Sequence, residues 1–250
     1  MMEILYNLEF LLICLFIFFQ SIFGIGLLIF GTPTFLFLDY SFSETLSFLL
    51  PISVSISAYQ TFFSKEQIPN FKKNFFIFCL PCLILFLIFT LYFLKTENIK
   101  IFISVVMILI SILNLFDFKK NIVRNLIKLN DKIFYMIIGA IHGMTNLGGG
   151  FLSFLSSSLY FENKEKIRKT IAFGYLFLGV AQISILIITN NFLFETKILL
   201  YSILSYVFFL IGKIIFNKLD YKIFNKILYI VILIYGVLIL MINLNNFILK

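Results

Sequence analysis

The residues with the clearest chemical potential lie in the middle of the chain, close to a histidine. His142 is the only histidine, and residues 145–150 read Thr-Asn-Leu-Gly-Gly-Gly. Glycines let a ligand approach the backbone closely, and a helix that begins within such a run directs free N–H groups and the positive end of its dipole at a ligand. The spacing therefore predicts a site for a small anion at this run.

A second run of this kind occurs 122 residues earlier. There the chain reads Gly24-Ile25-Gly26 and, a few residues later, Gly31-Thr32-Pro33. A shift of 122 positions places residues 24–26 on 146–148 and Gln20 on His142. The alternative explanation is that small residues only permit close helix packing. Two matched runs nevertheless favour a binding site to which both contribute.

The two runs define the residues expected to line this site. Their polar side chains, and that of Ser21, could instead satisfy backbone groups that a helix break leaves free. His142 could be a proton-coupling or ligand-binding group, or a histidine hydrogen-bonded to a neighbouring helix. The expected substrate-binding residues are Gln20, Gly24, Gly26, Thr32, Pro33, His142, Thr145, Asn146, Gly148, Gly149 and Gly150.

Cys79 and Cys82 form a Cys-x-x-Cys pair that supports a different hypothesis. This spacing is typical of thiol-disulfide enzymes, so the pair could act as a transmembrane redox relay. Cys14 makes the cysteine count odd, and cysteine is a common small buried residue, so two inert thiols are the competing interpretation. One histidine without cysteine or carboxylate neighbours predicts no metal site. Because no nucleotide motif or catalytic triad is present, neither a cofactor nor an enzymatic activity is expected.

The composition shows what kind of molecule must position these residues. Of the 250 residues, 61% are hydrophobic and 13% are charged, and the mean hydropathy is +1.06. A bilayer core about 30 Å thick needs roughly 20 apolar residues per helix. These values exclude a water-soluble domain and predict an integral membrane protein. The apolar stretches are 10–38, 43–63, 74–94, 98–118, 133–161, 170–189, 196–212 and 223–242.

The first and fifth stretches contain the two glycine runs and are too long for one simple crossing. Each is followed by three ordinary stretches, so the chain reads as two repeats. Lys and Arg test the topology because cytoplasmic loops carry the excess of both. Eight simple crossings divide the 20 basic residues ten against ten, whereas a fifth stretch that enters and leaves on one side divides them sixteen against four.

The charge distribution therefore favours a re-entrant fifth stretch. The loops that flank the first stretch contain no Lys or Arg, so only the repeat argues that the first stretch is re-entrant too. If both are, each repeat crosses three times and the second is inverted relative to the first. The predicted fold is an all-α polytopic bundle with a first repeat at 1–118, a basic cytoplasmic linker at 119–132 and a second repeat at 133–250. The loops expected in the cytoplasm are 65–73, 119–132, 162–169 and 213–226.

Two further features of the sequence concern its charge. The net charge of +8 comes from loops between apolar stretches, so it indicates membrane orientation and does not indicate binding to nucleic acid. Residues 1–9 contain two glutamates and no Lys or Arg. A cleavable signal peptide opens with a basic region, so we expect the first apolar stretch to be retained.

The sequence resembles the sulfite exporter TauE/SafE family, whose repeats each carry a Gly-x-Gly-Gly-Gly segment followed by a proline. Residues 146–150 are similar to the glycine part of this motif, and residues 24–26 with Pro33 keep its spacing in the first repeat. The resemblance extends over nearly the whole chain and includes Gly212 and Gly236.

The resemblance implies a carrier, without a nucleotide-binding subunit, for small sulfur-containing anions such as sulfite, sulfonates or thiosulfate. Leu27 and Leu28 stand where the family has glycines, and Leu155 stands where it has a proline. The expected partners are a small anionic solute and the lipid bilayer, and the expected location is a bacterial cytoplasmic membrane. A homodimer is left open.

Overall fold

All regular structure in the described part of the chain is helical. The computed structural model describes residues 2–115, 130–160 and 163–248. The all-helical prediction is therefore confirmed for these ranges. The helices are α1 (Met2–Phe23), α2 (Leu27–Phe37), α3 (Phe42–Phe62), α4 (Pro69–Asn74), α5 (Leu80–Phe93), α6 (Thr96–Leu115), α7 (Asp131–Thr145), α8 (Gly148–Leu159), α9 (Lys164–Ile188), α10 (Lys197–Lys218) and α11 (Tyr221–Ile248), with a π-helical turn at Phe75–Cys79 between α4 and α5.

Among the described residues, five helices are long and apolar enough to cross a membrane. They are Phe71–Phe93, α6, α9, α10 and the part of α11 from Lys226 to Asn243. The apolar part of α1, Leu8–Phe23, and the whole of α2 are shorter. The 21-residue α3 is not among the five, because its Ser, Thr and Gln side chains lower its hydropathy. The prediction of a polytopic membrane protein is confirmed, with fewer complete spans than apolar stretches.

Both long stretches are broken at a predicted glycine run, whereas Gly31-Thr32-Pro33, predicted as part of the first break, lies inside α2. α1 ends before Gly24 and α2 begins after Gly26, and these glycines have φ values of 78° and 147°. α7 ends at Thr145, and the next residue, Asn146, has φ 64°. Side chains are unfavourable in this region of φ, and Gly and Asn tolerate it best. The N–H of Gly24 donates to Gln20 O and that of Asn146 to His142 O, both at 2.8 Å.

The helices that follow the two broken stretches, α3 and α9, begin in the same way. Ser41 caps α3 by accepting a hydrogen bond from the N–H of Glu44 (3.3 Å). Asn163, which is 122 positions later, caps α9 by accepting from the N–H of Lys166 (2.9 Å). Both caps satisfy an amide that the first helical turn leaves free. The offset that relates the breaks therefore relates these caps as well.

The principal helix contacts join the first half of the chain to the second. α3 packs along α9, α6 along α11, α1 along α10 and α5 along α7. If each helix is replaced by its counterpart in the other half, the pairs α3–α9 and α6–α11 are unchanged. The pair α1–α10 becomes the pair α7–α5. The inverted relation of the halves, and the domain boundaries, remain predictions. Most of the predicted basic linker, with Lys119, Lys120, Arg124 and Lys128, lies outside the described residues.

One end of the bundle, here named the basic end, is formed by residues 63–74, 130–132, 163–169 and 213–219. Lys166 forms an ion pair with Glu66 (3.8 Å), and Lys169 Nζ donates to Ser64 O (2.7 Å). Lys164 Nζ donates to Phe216 O (3.0 Å). Asn74 bonds to Asp131 at the start of α7. The contacts bring the starts of α7 and α9 to the same end, as a re-entrant fifth stretch requires.

The opposite end is formed by residues 8–9, 38–43, 94–100 and 189–197. Lys197 Nζ lies 3.0 Å from Glu9 and 2.9 Å from Glu195. Burial and the charge of Glu9 raise the pKa of Tyr40, so its phenol stays protonated and can bond to Glu9. Lys100 pairs with Asp39 (3.6 Å). The starts of α1 and α3 therefore lie at the same end. The distribution of Lys and Arg in the sequence did not decide on which side of the bundle the first stretch begins and ends.

Candidate functional site

The first helix break is closed by side chains from α3. Gln20 is 0% exposed, and its Nε2 donates to Ser53 Oγ (2.9 Å) and Ser57 Oγ (3.1 Å). Gln60 Nε2 donates to the carbonyl oxygens of Gln20 (2.8 Å) and Ser21 (2.9 Å). A helix end frees such carbonyls, and leaving them without partners inside a membrane protein is costly. Gln60 therefore stabilises the end of α1.

Arg168, near the start of α9, reaches the same break from the other half of the chain. Its Nη2 donates to Ser21 O (2.6 Å), and its guanidinium carbon lies 4.5 Å from the centre of the Phe216 ring. It is the one buried cation among the side chains that the structure describes, at 8% exposure. The sequence analysis treated it only as a cytoplasmic loop residue. Arg168 precedes the apolar stretch 170–189 and stands among other charged residues, so its sequence position gave no sign of its burial.

A cavity of about 250 Å³ opens beside Arg168 at the basic end. We name it the basic vestibule. Its charged lining consists of Lys65, Arg168, Lys169, Lys213 and one acid, Glu165. Four cations against one carboxylate attract anions, and apolar walls strengthen the field in such a cavity. The remaining lining residues are Gln60, Phe63, Ser64, Phe209, Phe216 and Asn217.

The second break is held by its own polar residues. The N–H of Gly148 donates to His142 Nδ1 (3.1 Å), and the N–H of Leu147 donates to Thr145 Oγ1 (3.1 Å). His142 and Thr145 thus satisfy backbone groups freed by the break, which is one of the two roles that the sequence left open. Asn146 Nδ2 donates to Thr32 Oγ1 in α2 (3.0 Å). The second break is therefore joined to α2, the helix that begins at the first break.

The glycines of the second break are covered by side chains. A Cβ at Gly149 would overlap the phenol of Tyr175, and one at Gly150 would overlap Ile110. A Cβ at Gly148 would lie 2.8 Å from the carbonyl oxygen of Ile138. Close packing thus accounts for all three glycines in this conformation, and their part in binding a ligand stays a prediction.

The predicted residues of the first break are packed as tightly. A Cβ at Gly26 would lie 2.7 Å from Phe19, and one at Gly24 would lie 3.1 Å from Ile171 of α9. Pro33 lies inside α2 and is buried together with Thr32. The structure therefore brings the first-break residues, α9 and the second break into one region, through Ile171 and the bond between Asn146 and Thr32.

The cysteine pair lies where the π-helical turn meets α5, in a segment that packs against α7. Cys79 is 0% exposed in an apolar cluster with Leu83 and Tyr135, and Cys82 is partly exposed. Both thiols are free, as is Cys14. In the described ranges, no three His, Cys, Asp or Glu side chains come close enough to hold a metal ion. No contact in this region favours the redox relay over two buried thiols.

Membrane-spanning helices, two broken helices that touch inside the bundle and a basic vestibule at one end define a polytopic membrane transporter. The sequence profile of the sulfite exporter TauE/SafE family matches residues 9–239. The chain therefore belongs to this family of membrane transporters for sulfite-like anions. No curated protein and no solved structure matches the chain.

Proposed function

We propose that this chain moves a small sulfur-containing oxyanion, such as sulfite, a sulfonate or thiosulfate, across the bacterial cytoplasmic membrane. The observation that carries the proposal is the contact between the two broken stretches, in which Asn146 Nδ2 at the second break donates to Thr32 Oγ1 in α2 (3.0 Å). Irregular backbone at membrane depth occurs where it is buried in protein or lines a cavity for a solute. We assign the eleven residues predicted from the sequence to the region that holds the anion.

The charge distribution supports an anionic substrate. The vestibule presents Lys65, Arg168, Lys169 and Lys213 at one end of the bundle, and Arg168 is bonded to Ser21 O at the first break. An anion that enters the vestibule therefore meets a cation bound to the broken helix. Lysines at the rim raise the local anion concentration, and this effect weakens as salt increases.

Alternating access between two inverted repeats is the proposed mechanism. It is supported by the offset of 122 that relates breaks and helix caps, and by helix pairs that interchange when the halves are exchanged. The vestibule lies at the basic end, whereas Lys197 ties Glu9 to Glu195 at the opposite end. We assign this conformation to the state open towards the cytoplasm, and rocking of the repeats would open the other end.

Uptake into proteoliposomes tests the proposed function. The purified chain should take up labelled sulfite or thiosulfate in a saturable manner, and the comparison with and without an imposed proton gradient identifies the coupling. Thr32→Val removes the acceptor of Asn146 while keeping the side-chain shape, so it should slow uptake severalfold. Thr90→Val is a matched control, because the Thr90 hydroxyl bonds only within α5, to Phe86 O (2.7 Å). Absence of uptake for every sulfur oxyanion would contradict the proposal.

A further inference from the structure

Three buried side chains near the start of α8 carry polar atoms without hydrogen-bond partners. His142, Tyr175 and Gln182 are each 0% exposed. In the part of the chain that the structure describes, His142 Nε2, the Tyr175 hydroxyl and both amide atoms of Gln182 have no hydrogen-bonding protein atom. Burying a polar group without a partner is costly, because the group loses its bonds to water. Such a group in a folded protein therefore requires an explanation.

Tyr175 and Gln182 each lie beside His142. The rings of His142 and Tyr175 meet edge to face with centroids 5.8 Å apart. The Gln182 amide approaches the His142 ring as an acceptor without reaching the geometry of a regular hydrogen bond. The Tyr175 phenol lies over Gly149 in the first turn of α8. Tyr175 and Gln182 are seven residues apart on α9, so they share one helix face about 10 Å apart along the axis. The cluster therefore borders the N-terminus of α8.

The hydrogen bond from Gly148 fixes which atoms of the cluster can donate. Because His142 Nδ1 accepts the N–H of Gly148 (3.1 Å), that nitrogen carries no proton and the neutral ring carries its proton on Nε2. The free Nε2–H of His142, the hydroxyl of Tyr175 and the amide N–H groups of Gln182 are all donors. Neutral donors at a helix N-terminus suit the oxygens of an anion.

The first half of the chain contains the counterpart of this cluster. A shift of 122 positions relates His142 to Gln20, Tyr175 to Ser53 and Gln182 to Gln60. In the first half the donor groups of these side chains have protein partners, and only the amide oxygen of Gln60 has none among the described residues. Gln20 and Ser53 exchange hydrogen bonds at 2.9 and 3.2 Å, and Gln60 donates to two carbonyl oxygens of α1. The donors at these positions thus have protein partners in the first half and lack them in the described part of the second.

We propose that His142, Tyr175 and Gln182 form an oxyanion-binding subsite of the second half, whereas the donors of the corresponding residues Gln20, Ser53 and Gln60 are occupied by protein groups. The His142 Nε2–H, the Tyr175 hydroxyl and the Gln182 amide donate to the oxygens of a small sulfur oxyanion. This inference rests on the proposed function and adds Tyr175 and Gln182 to the binding region. Neither residue lies in a glycine run, so motif spacing alone did not single them out.

The test compares stability and anion response in the full-length protein purified in detergent. Tyr175→Phe and Gln182→Met replace unpaired polar groups with apolar groups of similar shape. Without anion, both variants should unfold at temperatures no lower than the unmodified protein, because no hydrogen bond is lost. Sulfite or thiosulfate should raise the unfolding temperature of the unmodified protein, and each variant should need about tenfold more anion for the same rise. Phosphate is measured in parallel to separate sulfur oxyanions from oxyanions in general.

Tyr235→Phe is the matched control. The Tyr235 hydroxyl is hydrogen-bonded to Thr34 Oγ1 (2.8 Å), so its removal should lower the unfolding temperature and leave the anion response unchanged. If Tyr175→Phe and Gln182→Met keep the full anion response, the inference is overturned and the proposed function stands. If both variants lose stability as Tyr235→Phe does, the groups have structural partners and the inference is likewise overturned. If the unmodified protein responds to no sulfur oxyanion, the proposed function and the inference both fail.

Discussion

At the residue scale, Arg168 makes three kinds of contact. It donates to the Ser21 carbonyl at the end of α1, stacks on Phe216 and faces the basic vestibule. The C-terminal end of a helix carries a partial negative charge, so a cation placed there stabilises it. The planar guanidinium donates in one direction and stacks in another, which a lysine cannot reproduce. Arg168 therefore links the stability of the first break to the charge of the vestibule.

Replacing Arg168 with Gln should raise the anion concentration needed for half-maximal uptake by about tenfold or more, because a charge-assisted interaction is lost. Lys65→Gln is the comparison, since Lys65 lines the same vestibule but is exposed. Its effect should be smaller and should vanish at high ionic strength. The measurement is the initial uptake rate as a function of anion concentration at two ionic strengths. Equal effects of the two substitutions would contradict the role given to Arg168.

At the residue scale the sequence predicted positions better than contacts. It identified His142 and Thr145 because polar groups are rare within apolar stretches, and the structure places both at the second break. It gave no sign of Tyr175, because a tyrosine in a membrane helix is common. It also treated Arg168 as a loop residue, because the boundary of an apolar stretch does not show where the buried part of a helix begins.

At the element scale, α5 and α7 approach each other closely through two glycines of α7. A Cβ at Gly139 would overlap the carbonyl oxygen of Cys79, and one at Gly143 would lie 2.6 Å from that of Leu83. Small residues four positions apart allow helix backbones to come together in this way. The contact falls where the π-helical turn ends and Pro81 follows in α5. The irregular part of α5 is therefore held by α7.

Gly139→Ala should destabilise the protein by about 1–3 kcal/mol, since the added methyl group meets rigid backbone that cannot move aside. Ile137→Ala is the control on the same helix. Ile137 is 40% exposed, so shortening its side chain removes little buried contact. Thermal unfolding in detergent provides the comparison. An unchanged unfolding temperature for Gly139→Ala would show that the two helices can separate without loss.

The sequence predicted the breaks at this scale but not the helix partners. Glycine runs and hydropathy are local, so they located both breaks and all of the strongly apolar helices. The pairing of α5 with α7 depends on residues more than fifty positions apart, such as Cys79 and Gly139. The π-helical turn likewise left no local signal that distinguishes it from an ordinary helix containing a proline.

At the scale of the whole molecule, the two ends of the bundle differ in their closure. Cations line a cavity at the basic end, whereas Lys197 holds Glu9 of α1 and Glu195 beside α10 at the opposite end. Lys197 also lies over the ring of Phe48, 4.9 Å from its centre. The ion pair with Glu9 and the contact with the Phe48 ring therefore join α1, α3 and α10, and transport by alternating access would require these helices to separate.

A disulfide between cysteines at positions 9 and 197 should stop uptake, because it prevents the opposite end from opening. The pair Glu9→Cys and Lys197→Cys is made after Cys14, Cys79 and Cys82 have been replaced by Ala. Oxidation should abolish uptake and a reducing agent should restore it, whereas Glu9→Cys alone should be insensitive to oxidation. Full uptake by the oxidised pair would contradict the assignment of this end as the closed gate. Activity of the protein in which only Cys14, Cys79 and Cys82 have been replaced by Ala would in addition argue against the redox relay.

The composition of α3 has a consequence for how the protein is made. This helix buries Ser47, Ser53, Ser57 and Gln60 against its neighbours, and its main partner is α9. The start of α9 is synthesised 122 residues after the start of α3, which at ordinary translation rates takes roughly 6–24 s. During that interval Ser53, Ser57 and Gln60 can already bond to α1, but α3 lacks its main packing partner. Insertion of α3 should therefore be completed late, when the second half emerges from the ribosome.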